Sequence, residues 1–573
     1  MSPDDLRRAQ EAIDREGDSG TPREERKSQA TRLIEIAFSG AELWRCDDEA
    51  WATVQVANHR EHWPLRSRVF RDGYLARGFY HQQGKVPGGQ AVTDAMNTLH
   101  GIALFDGQHN RVFTRIGGQN GAIYLDLAND AWEVVEISAA GWCIKTNPPV
   151  RFRRTSAMLP IPTPKHGGTI GDLRHFVNVR EEDWPLVLAV LVSLLRDRGP
   201  YPILVLHGEH GSAKSSLARV LRSLVDPNGA PLRVEPKEPR DLMIAAKNSW
   251  MVVLDNLSHI SPWLSDALCR LSTGGGFATR KLYSDGDEAI FDAQRPVIIN
   301  GIEELATRGD LLDRSVILHL PTIPDDKRRP EDAFWHEYEE AKPRILGALL
   351  DAVVLALGNT EKVSLARLPR MADFAIWAVA AEAGLGLAPG KFMTAYAGNR
   401  DDANALVLED SPVAALVLML IDWEPFDRRL SSIGEWEGTA TDLLNELTEL
   451  ADERTRQLKS WPKTPRSLSN VLRRLASNLR AVGVEVSFNR STGQRTISLA
   501  QVGKTSSSSS FASSASSPPL GPNGTMPQAS RNDDDGVTQA NRAPRYEDDA
   551  NDDDDARFPT FPKVGDMGYE EVF

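Results

Sequence analysis

Apolar positions repeat with two different periods along residues 29–165. The helical period begins at Gln29 and returns over residues 90–104, and two strand-like runs lie within residues 42–56. Further runs alternate with the period of a strand, at residues 111–116, 122–127 and 131–137. These patterns predict an α+β N-terminal domain over residues 29–165, preceded by a flexible N-terminus at residues 1–28.

Two polar features of this region bear on its chemistry. The basic run at residues 59–68 is interpreted as a solvated loop beside Trp63, with phosphate contact as the alternative. Asp126 and Asp130 invite comparison with the paired carboxylates of a primase or polymerase, but they are four residues apart and Asp130 belongs to an Asn129-Asp130 turn. Because strand side chains alternate with period two, this spacing is poor for two metal ligands. We expect a hairpin turn there and no nucleotidyl-transfer site.

Strands and helices alternate after a stiff, Pro-rich and basic connector that begins at Pro148. An apolar helix is predicted over residues 173–195, a buried strand over residues 202–206 and an amphipathic helix over residues 217–225. This alternation predicts a parallel sheet with helices on both faces, over residues 166–330.

The segment between that strand and helix has the spacing of a phosphate-binding P-loop. Its residues are Gly208, Glu209, His210, Gly211, Ser212, Ala213, Lys214, Ser215 and Ser216. In such a loop, backbone N–H groups and the helix N-terminus hold anionic oxygens. Lys214 is expected to reach the β- and γ-phosphates, and the Ser215 hydroxyl to bind Mg²⁺. Ala213 replaces the second glycine of the motif, and we expect it to be right-handed and to narrow the space beside the phosphates.

Polar residues end the next two buried runs, where ligands gather in parallel sheets. Asp255 ends the first run and is expected at the P-loop Mg²⁺, with a helix N-cap as the alternative role. Asn300 ends the second run, at the same edge. Between them, residues 272–287 carry three consecutive glycines and the basic pair Arg280-Lys281, which predicts a projecting hairpin or mobile loop.

The order of these features over residues 200–320 resembles the superfamily 3 helicases within the AAA+ ATPases. More closely, it resembles the primase-helicase ATPases of phages and mobile elements, of the poxvirus type. By this resemblance residues 208–216 match Walker A, and Asp255-Asn256 match Walker B. Ala213 and Asn256 depart from the family pattern, because many relatives carry a glycine and a second carboxylate at these positions.

The same resemblance assigns roles outside the P-loop. Asn300 corresponds to the polar residue that orients the attacking water. Arg314, at the start of the following strand, corresponds to an arginine finger supplied in trans. Arg280 and Lys281 correspond to the basic hairpin that grips single-stranded DNA in the channel of a ring.

These matches imply an ATP-dependent DNA helicase-like motor of phage or mobile-element replication, which hydrolyses ATP at subunit interfaces of a homo-hexameric ring. ATP and Mg²⁺ are the implied cofactors. The residues expected to carry catalysis are Lys214, Asp255, Asn256, Asn300 and Arg314. The alternative is a non-translocating AAA+ ATPase switch in regulation or defence, which would not need Arg280 and Lys281 on DNA.

Helical patterns continue beyond the predicted core. Residues 331–400 predict a helical lid, with a first helix that is broken at Lys342-Pro343. Residues 401–503 predict a winged-helix-like domain, in which Thr464-Pro465 starts a basic third helix before a hairpin wing. The residues of this helix expected to contact duplex DNA are Arg466, Arg473 and Arg474. Residues 504–573, rich in Ser and Asp, predict a disordered acidic tail.

Composition changes this interpretation little. The formal net charge is −14, but acidic residues of the tail contribute much of it, so basic faces remain available to DNA. The three cysteines lie far apart in the sequence, which favours neither a zinc site nor a disulfide framework and fits a reducing cytoplasm. No run of 18 apolar residues and no secretory signal are visible, so we expect no membrane association. A separate primase or origin protein is a further expected partner.

Overall fold

The fold was analysed in a computed structural model, which describes residues 27–280, 288–291, 294–301, 308–422, 435–491 and 494–502. Residues 1–26 of the predicted flexible N-terminus and the whole predicted tail lie outside the described residues, as does Lys281.

The first part of the chain is an antiparallel sheet covered by helices. The strands are β1 (Ala41–Cys46), β2 (Glu49–Val56), β3 (His59–Pro64) and β4 (Gln108–His109), in the order β3-β2-β1-β4. The helices are Gln29–Gly40, Arg77–Gln83 and Gly89–Phe105, with a π-helical segment at Val69–Ala76. Side chains such as Leu33, Phe70 and Leu99 form the core between them. This arrangement confirms the predicted helix, strand pair and second helix.

The prediction of a solvated loop at residues 59–68 is wrong for its first half. His59 to Pro64 pair with β2 in antiparallel register, from Val56↔His59 to Trp51↔Pro64. The strand forms because β2 offers its outer edge to the neighbouring segment, and this pairing satisfies backbone groups that a loop would leave to water.

A second antiparallel sheet follows. Its strands are β6 (Ile116–Gln119), β7 (Ala122–Asp126), β8 (Val134–Ser138) and β9 (Gly141–Lys145), paired in that order, while β5 (Val112–Phe113) pairs with β10 (Arg151–Phe152). The predicted turn at Asn129-Asp130 is confirmed, since the Asn129 side chain accepts the Glu133 N–H between β7 and β8. Asp126 is buried against the Arg154 guanidinium, which gives this carboxylate a structural partner.

A buried arginine joins this sheet to the rest of the chain. Arg115 is fully buried, and its Nε lies 3.2 Å from Asp226 Oδ1. Its two terminal nitrogens donate to the carbonyls of Asp126, Leu159 and Pro227. One side chain therefore satisfies carbonyl groups on three separate segments.

The centre of the molecule is a parallel four-stranded sheet. Its strands are β11 (Ile203–His207), β12 (Val252–Leu257), β15 (Val297–Gly301) and β16 (Ser315–His319), in the order β12-β15-β11-β16. Its helices are Trp184–Ser193, Lys214–Val225, Pro239–Asn248, Pro262–Thr273 and Gly309–Leu312, with a 3-10 turn at Ile170–Phe176. β13 (Phe277–Arg280) and β14 (Glu288–Phe291) form an antiparallel pair, which confirms the predicted hairpin. The central sheet confirms the predicted parallel α/β class.

A helical region follows β16 after a 3-10 turn at Asp325–Lys327. Its helices are Glu331–Asn359, Ala372–Ala381 and Lys391–Glu409, with another 3-10 turn at Thr360–Lys362. The predicted break at Lys342-Pro343 is wrong, because Pro343 lies inside the first helix. An interior proline costs about 3 kcal/mol, and packing of residues such as Ile345 and Leu349 against the core offsets this cost. The predicted lid boundary after residue 400 falls within the third helix.

The last described part packs helices on a small sheet. Its helices are Pro412–Asp422, Ala440–Leu450, Glu453–Gln457 and Pro465–Ala481, and its strands are β17 (Glu435–Thr439), β18 (Val484–Ser491) and β19 (Gln494–Gln501), in the order β17-β19-β18. The predicted start of a helix at Thr464-Pro465 is confirmed, and both Thr439 and Thr464 form capping boxes. β17 was not predicted, because its only inward apolar side chain is that of Trp436.

Within the described ranges, no single helix is long and apolar enough to cross a membrane. The pair Lys391–Glu409 and Pro412–Ile421 meets the length and composition test together, with a bend of 99° between its helices.

Candidate functional site

The loop between β11 and the helix Lys214–Val225 folds tightly at the carboxyl edge of the parallel sheet. A Cβ on Gly208 would lie 2.6 Å from Ser212 Oγ and 2.7 Å from the Leu320 carbonyl oxygen, so only glycine fits there. Ser212 is fully buried, and its hydroxyl donates to the Glu209 carbonyl at 2.8 Å. The loop is thus a compact turn that brings the amino end of the helix to the sheet edge.

Ala213 departs from the expected conformation. Its φ of 63° and ψ of 31° place it in the left-handed region, so the expected right-handed conformation is wrong. A residue with a Cβ pays about 1–2 kcal/mol for this conformation. The chain adopts it because Ala213 is the N-cap residue, where the loop must reverse to enter the helix. The P-loop motif has a glycine at this position because the backbone there is left-handed, a conformation that glycine adopts without steric cost.

The Lys214 ammonium lies over the loop. Its Nζ donates to the carbonyls of Gly208 at 2.7 Å and Glu209 at 2.9 Å. Burial lowers the pKa of Lys214 below its ordinary value, while the nearby Asp255 carboxylate opposes this shift. The first turn of the helix and one cation therefore face the same space, an arrangement suited to phosphate oxygens.

A hydroxyl, a carboxylate and an amide meet beside the loop. Ser215 Oγ donates to Asp255 Oδ1 at 2.8 Å, and Asn300 Nδ2 donates to the same oxygen at 2.5 Å. Asn300 Oδ1 accepts the backbone N–H of Asn256 at 2.8 Å, and the Asn300 side chain is 1% exposed. The buried amide thus fixes the Asp255 carboxylate from the adjacent strand, and the three predicted side chains are neighbours.

Asn256 contributes to this cluster through its backbone. Asn256 is exposed, and its φ of 56° places it in the left-handed region that asparagine tolerates better than most residues.

The structure does not bring Arg314 to the P-loop of its own chain. Arg314 precedes β16, whose first residue pairs with Ile203, whereas the loop follows His207 at the other end of β11. The two ends of β11 are four residue steps apart, which is about 13 Å along a strand. Arg314 Nη1 donates to the Asp310 carbonyl, and its buried Nε has no hydrogen-bond partner.

The predicted DNA-binding residues that the structure describes lie on two elements outside the P-loop, namely the β13–β14 hairpin and the helix Pro465–Ala481. The backbone of Arg280 pairs with Glu288 in the hairpin, and nothing further is described of this arginine or of Lys281. On the helix Pro465–Ala481, Arg466, Arg473 and Arg474 are all exposed.

Two other polar residues of that helix have partners within the chain. Asn478 is buried and donates to Asn404, and Arg480 forms a two-bond ion pair with Glu485. Arg473 also lies 4.1 Å from the centre of the Phe488 ring on β18, so helix and hairpin are in contact. Of the three predicted DNA-binding arginines, Arg473 therefore packs on the hairpin while it stays exposed on the helix surface.

Sequence reasoning missed a second wall of the P-loop, formed by the segment after β16. The Ile323 N–H donates to the Gly211 carbonyl, and Thr322 Oγ1 donates to Glu209 Oε2. Arg328 Nη2 lies 3.2 Å from where a Cβ on Gly211 would stand, which places a guanidinium directly at the loop. The pair Arg328-Arg329 after the last strand was a signal that could have indicated this cation.

The residues present fit a Mg²⁺-bound nucleoside triphosphate. Ser215 and Asp255 offer hard oxygen atoms 2.8 Å apart, and Lys214 and Arg328 offer positive charge around the loop. Among the residues that the structure describes, no group of three or more His, Cys, Asp and Glu side chains could hold a metal. A P-loop metal needs no such group, because phosphates and water supply the remaining ligands.

A parallel four-stranded sheet with a glycine-dependent loop and a hydroxyl–carboxylate pair at its carboxyl edge defines a mixed α/β protein with a candidate phosphate site. A family model described as actinomycete integrative conjugative element replication protein matches residues 170–405, and the C-terminal domain model of the same family matches residues 413–515. Together these matches span more than half of the chain, which therefore belongs to this family of replication proteins. No curated protein matches the chain.

Two solved structures are distantly similar. The C-terminal region of NrS-1 has 13% sequence identity and a TM-score of 0.37, covering 83% of this chain and 100% of that one. A structure described as SCCmec type IV Cch, an active helicase, has 12% identity and a TM-score of 0.41, covering 81% of this chain and 94% of that one.

Proposed function

We propose that this replication protein is an ATP-dependent DNA motor with a P-loop ATPase core of the AAA+ type, acting as a helicase during replication of its element. The observation that carries the proposal is the contact of Ser215 and Asn300 with one oxygen of Asp255, beside the ammonium of Lys214. In a P-loop ATPase, groups of these types hold the metal and the phosphates.

Each residue has a distinct role in this proposal. Lys214 binds the β- and γ-phosphates, and Ser215 and Asp255 hold Mg²⁺, which when bound neutralises charge on those phosphates. Asn300 fixes the Asp255 carboxylate through its amide nitrogen and can orient water from the same position. Asn256 has an amide where a carboxylate would accept a proton, so it can position water only through hydrogen bonds.

The position of Arg314 supports a shared site. Because it lies at the end of β11 away from the P-loop of its own chain, we assign it to the site of a neighbouring subunit, as an arginine finger in trans. The proposed assembly is a homo-hexameric ring, in which each site would be shared between two subunits. Mixing two inactive variants tests it, because Asp255→Ala supplies an intact Arg314 and Arg314→Ala supplies an intact metal site. ATPase activity that returns on mixing supports a shared site, and no return contradicts it.

DNA contact is proposed at two places. The hairpin that carries Arg280 and Lys281 would hold single-stranded DNA in the channel of the ring. The element order helix, strand, two major helices and two strands, together with the exposed Arg466, Arg473 and Arg474, supports a winged-helix-like duplex contact.

The direct test is ATP hydrolysis by purified Asp255→Ala. We expect a loss of about 100-fold or more in kcat, since the variant loses a preorganised charge at the reacting phosphates. Asp266→Ala is a matched control, because Asp266 is an exposed acid paired with Arg308 on another element. Asp255→Ala with the turnover of the parent would disprove the assigned metal site.

A non-translocating ATPase switch is the second candidate. The two functions differ in whether single-stranded DNA stimulates ATP hydrolysis. A motor predicts stimulation that the double variant Arg280→Ala/Lys281→Ala lowers while basal activity remains. Basal hydrolysis without any stimulation would favour the switch.

A further inference from the structure

A second cation-lined cavity lies behind the P-loop helix. It has a volume of about 470 Å³ and is bounded by that helix, the long helix Glu331–Asn359 and the connector at Leu159-Pro160. Its charged lining residues are Arg219, Arg222, Glu339 and Lys342. Eight residues separate Lys214 from Arg222, which is about 12 Å along a helix, so this cavity is distinct from the P-loop.

Arg222 is buried without full compensation of its charge. The residue is 1% exposed; its Nε and Nη1 donate to the carbonyls of Asp226 and Pro231. Its Nη2 makes no hydrogen bond and lies 3.7 Å from the carboxylate oxygen Oδ2 of Asp226, within ion-pair distance. That nitrogen is a buried donor on a residue that lines the cavity.

The neighbouring carboxylate is already engaged. Asp226 Oδ1 accepts from Arg115, and its Oδ2 accepts the backbone N–H groups of Trp250 and Met251. Two buried guanidiniums therefore share one carboxylate, which leaves an excess of positive charge at this wall. Burial accordingly lowers the pKa of Arg222 to about 10, with Asp226 acting against the shift.

Lys342 adds a second buried cation to the same cavity. It is 4% exposed, and its Nζ lies 3.3 Å from the oxygens of Glu339, a carboxylate that is itself more than half exposed. Burial lowers the pKa of Lys342, while the Glu339 carboxylate that accepts its hydrogen bonds opposes this shift. A ligand that supplies negative charge would compensate both cations at once.

We propose that this cavity binds a phosphate-bearing small molecule, with its anionic oxygens on Lys342 Nζ and in the field of the Arg222 guanidinium that is buried in the cavity wall. Proteins use ammonium and guanidinium groups to bind phosphate, and the volume lies in the range of small-molecule sites. Such a ligand would connect the P-loop helix to the long helix and to the connector from the N-terminal sheets. The site does not rest on the proposed ATPase function.

The test is binding of pyrophosphate by calorimetry to full-length protein carrying Lys214→Ala, which removes the P-loop ammonium. Adding Lys342→Met removes the charge and keeps the side-chain length. We expect its affinity to fall about ten- to hundredfold, the effect of losing one charged hydrogen bond. Lys342→Arg should retain binding. Lys362→Met, which changes an exposed lysine on another segment, is the matched control and should have no effect.

A thermal measurement separates ligand binding from a structural role. Without added anion, Lys342→Met should melt at or above the temperature of its Lys214→Ala parent, because it removes a poorly compensated buried charge. Pyrophosphate should raise the midpoint of the parent and not that of Lys342→Met. Inorganic phosphate alone giving the full shift would identify the free ion as the source of the ligand, whereas a larger shift with pyrophosphate supports a phosphorylated molecule. Equal affinities and equal shifts in both proteins would overturn the proposal.

Discussion

Replacing Ala213 by glycine should stabilise the protein. The left-handed conformation at φ 63° costs a residue with a Cβ about 1–2 kcal/mol, and glycine removes this cost. Glycine also has more conformational freedom than alanine in the unfolded chain, and losing this freedom on folding reduces the stabilisation by about 0.5–1 kcal/mol. The net gain is therefore about 0.5–1 kcal/mol, or about 1–4 °C in the unfolding midpoint of a domain of this size.

The measurement is thermal unfolding of Ala213→Gly beside two controls. Ala57 has a φ of 47° in the turn between β2 and β3, so Ala57→Gly should also stabilise. Ala405 is exposed within the helix Lys391–Glu409, where glycine costs about 1 kcal/mol, so Ala405→Gly should destabilise. A lower midpoint for Ala213→Gly than for the parent would refute the conformational explanation of this position.

The remaining predictions concern a charge pair, a histidine and the phosphate site. Arg115→Ala should cost about 3–5 kcal/mol in urea unfolding, because it breaks a buried ion pair and leaves carbonyl groups unpaired; a cost below 1 kcal/mol would contradict this. Burial, with nearby arginines, lowers the pKa of His62 to about 3 from 6.5. Because the unfolded chain takes up this proton first, stability should fall by about 1.4 kcal/mol per pH unit as the pH drops from 6.5 to about 3. His62→Gln should remove that component, and equal pH slopes in both proteins would exclude it. Arg328→Ala should raise the KM for ATP with a smaller change in kcat, whereas Arg329→Ala, at an arginine paired with Glu337, should not. Asn256→Asp should preserve or raise turnover, and a loss would show that the amide is required.

The local sequence pattern was sufficient to predict many of the helices and strands. The strand β11, the P-loop and the following helix were predicted because an apolar run, a glycine-bearing loop and a 3.6-residue period lie next to one another in the sequence. The same holds for the helix that begins after Thr464, whose capping side chain bonds within its own first turn. Such signals act over a few residues and do not depend on the rest of the fold.

Other features depended on partners that are distant in the sequence. β3 is a strand because the edge of β2 is beside it, and the long helix continues through Pro343 because its apolar face packs on the core. Arg328 reaches the P-loop only because the segment after β16 turns back along it. The expected conformation of Ala213 was also wrong, because closure of the loop imposes its φ, whereas alanine itself prefers a right-handed backbone.

The amino-acid sequence by itself determined the parallel α/β order, the P-loop motif and the acidic and amide residues at the ends of the following strands. The tertiary structure decided that Ser215, Asp255 and Asn300 share one oxygen, and that Arg314 lies at the opposite end of β11. It also placed Arg222 and Lys342 in one cavity, although 120 residues separate them in the sequence. Motifs are visible in sequence because they are local, whereas the direction of a strand and the pairing of charges arise only when distant segments pack together.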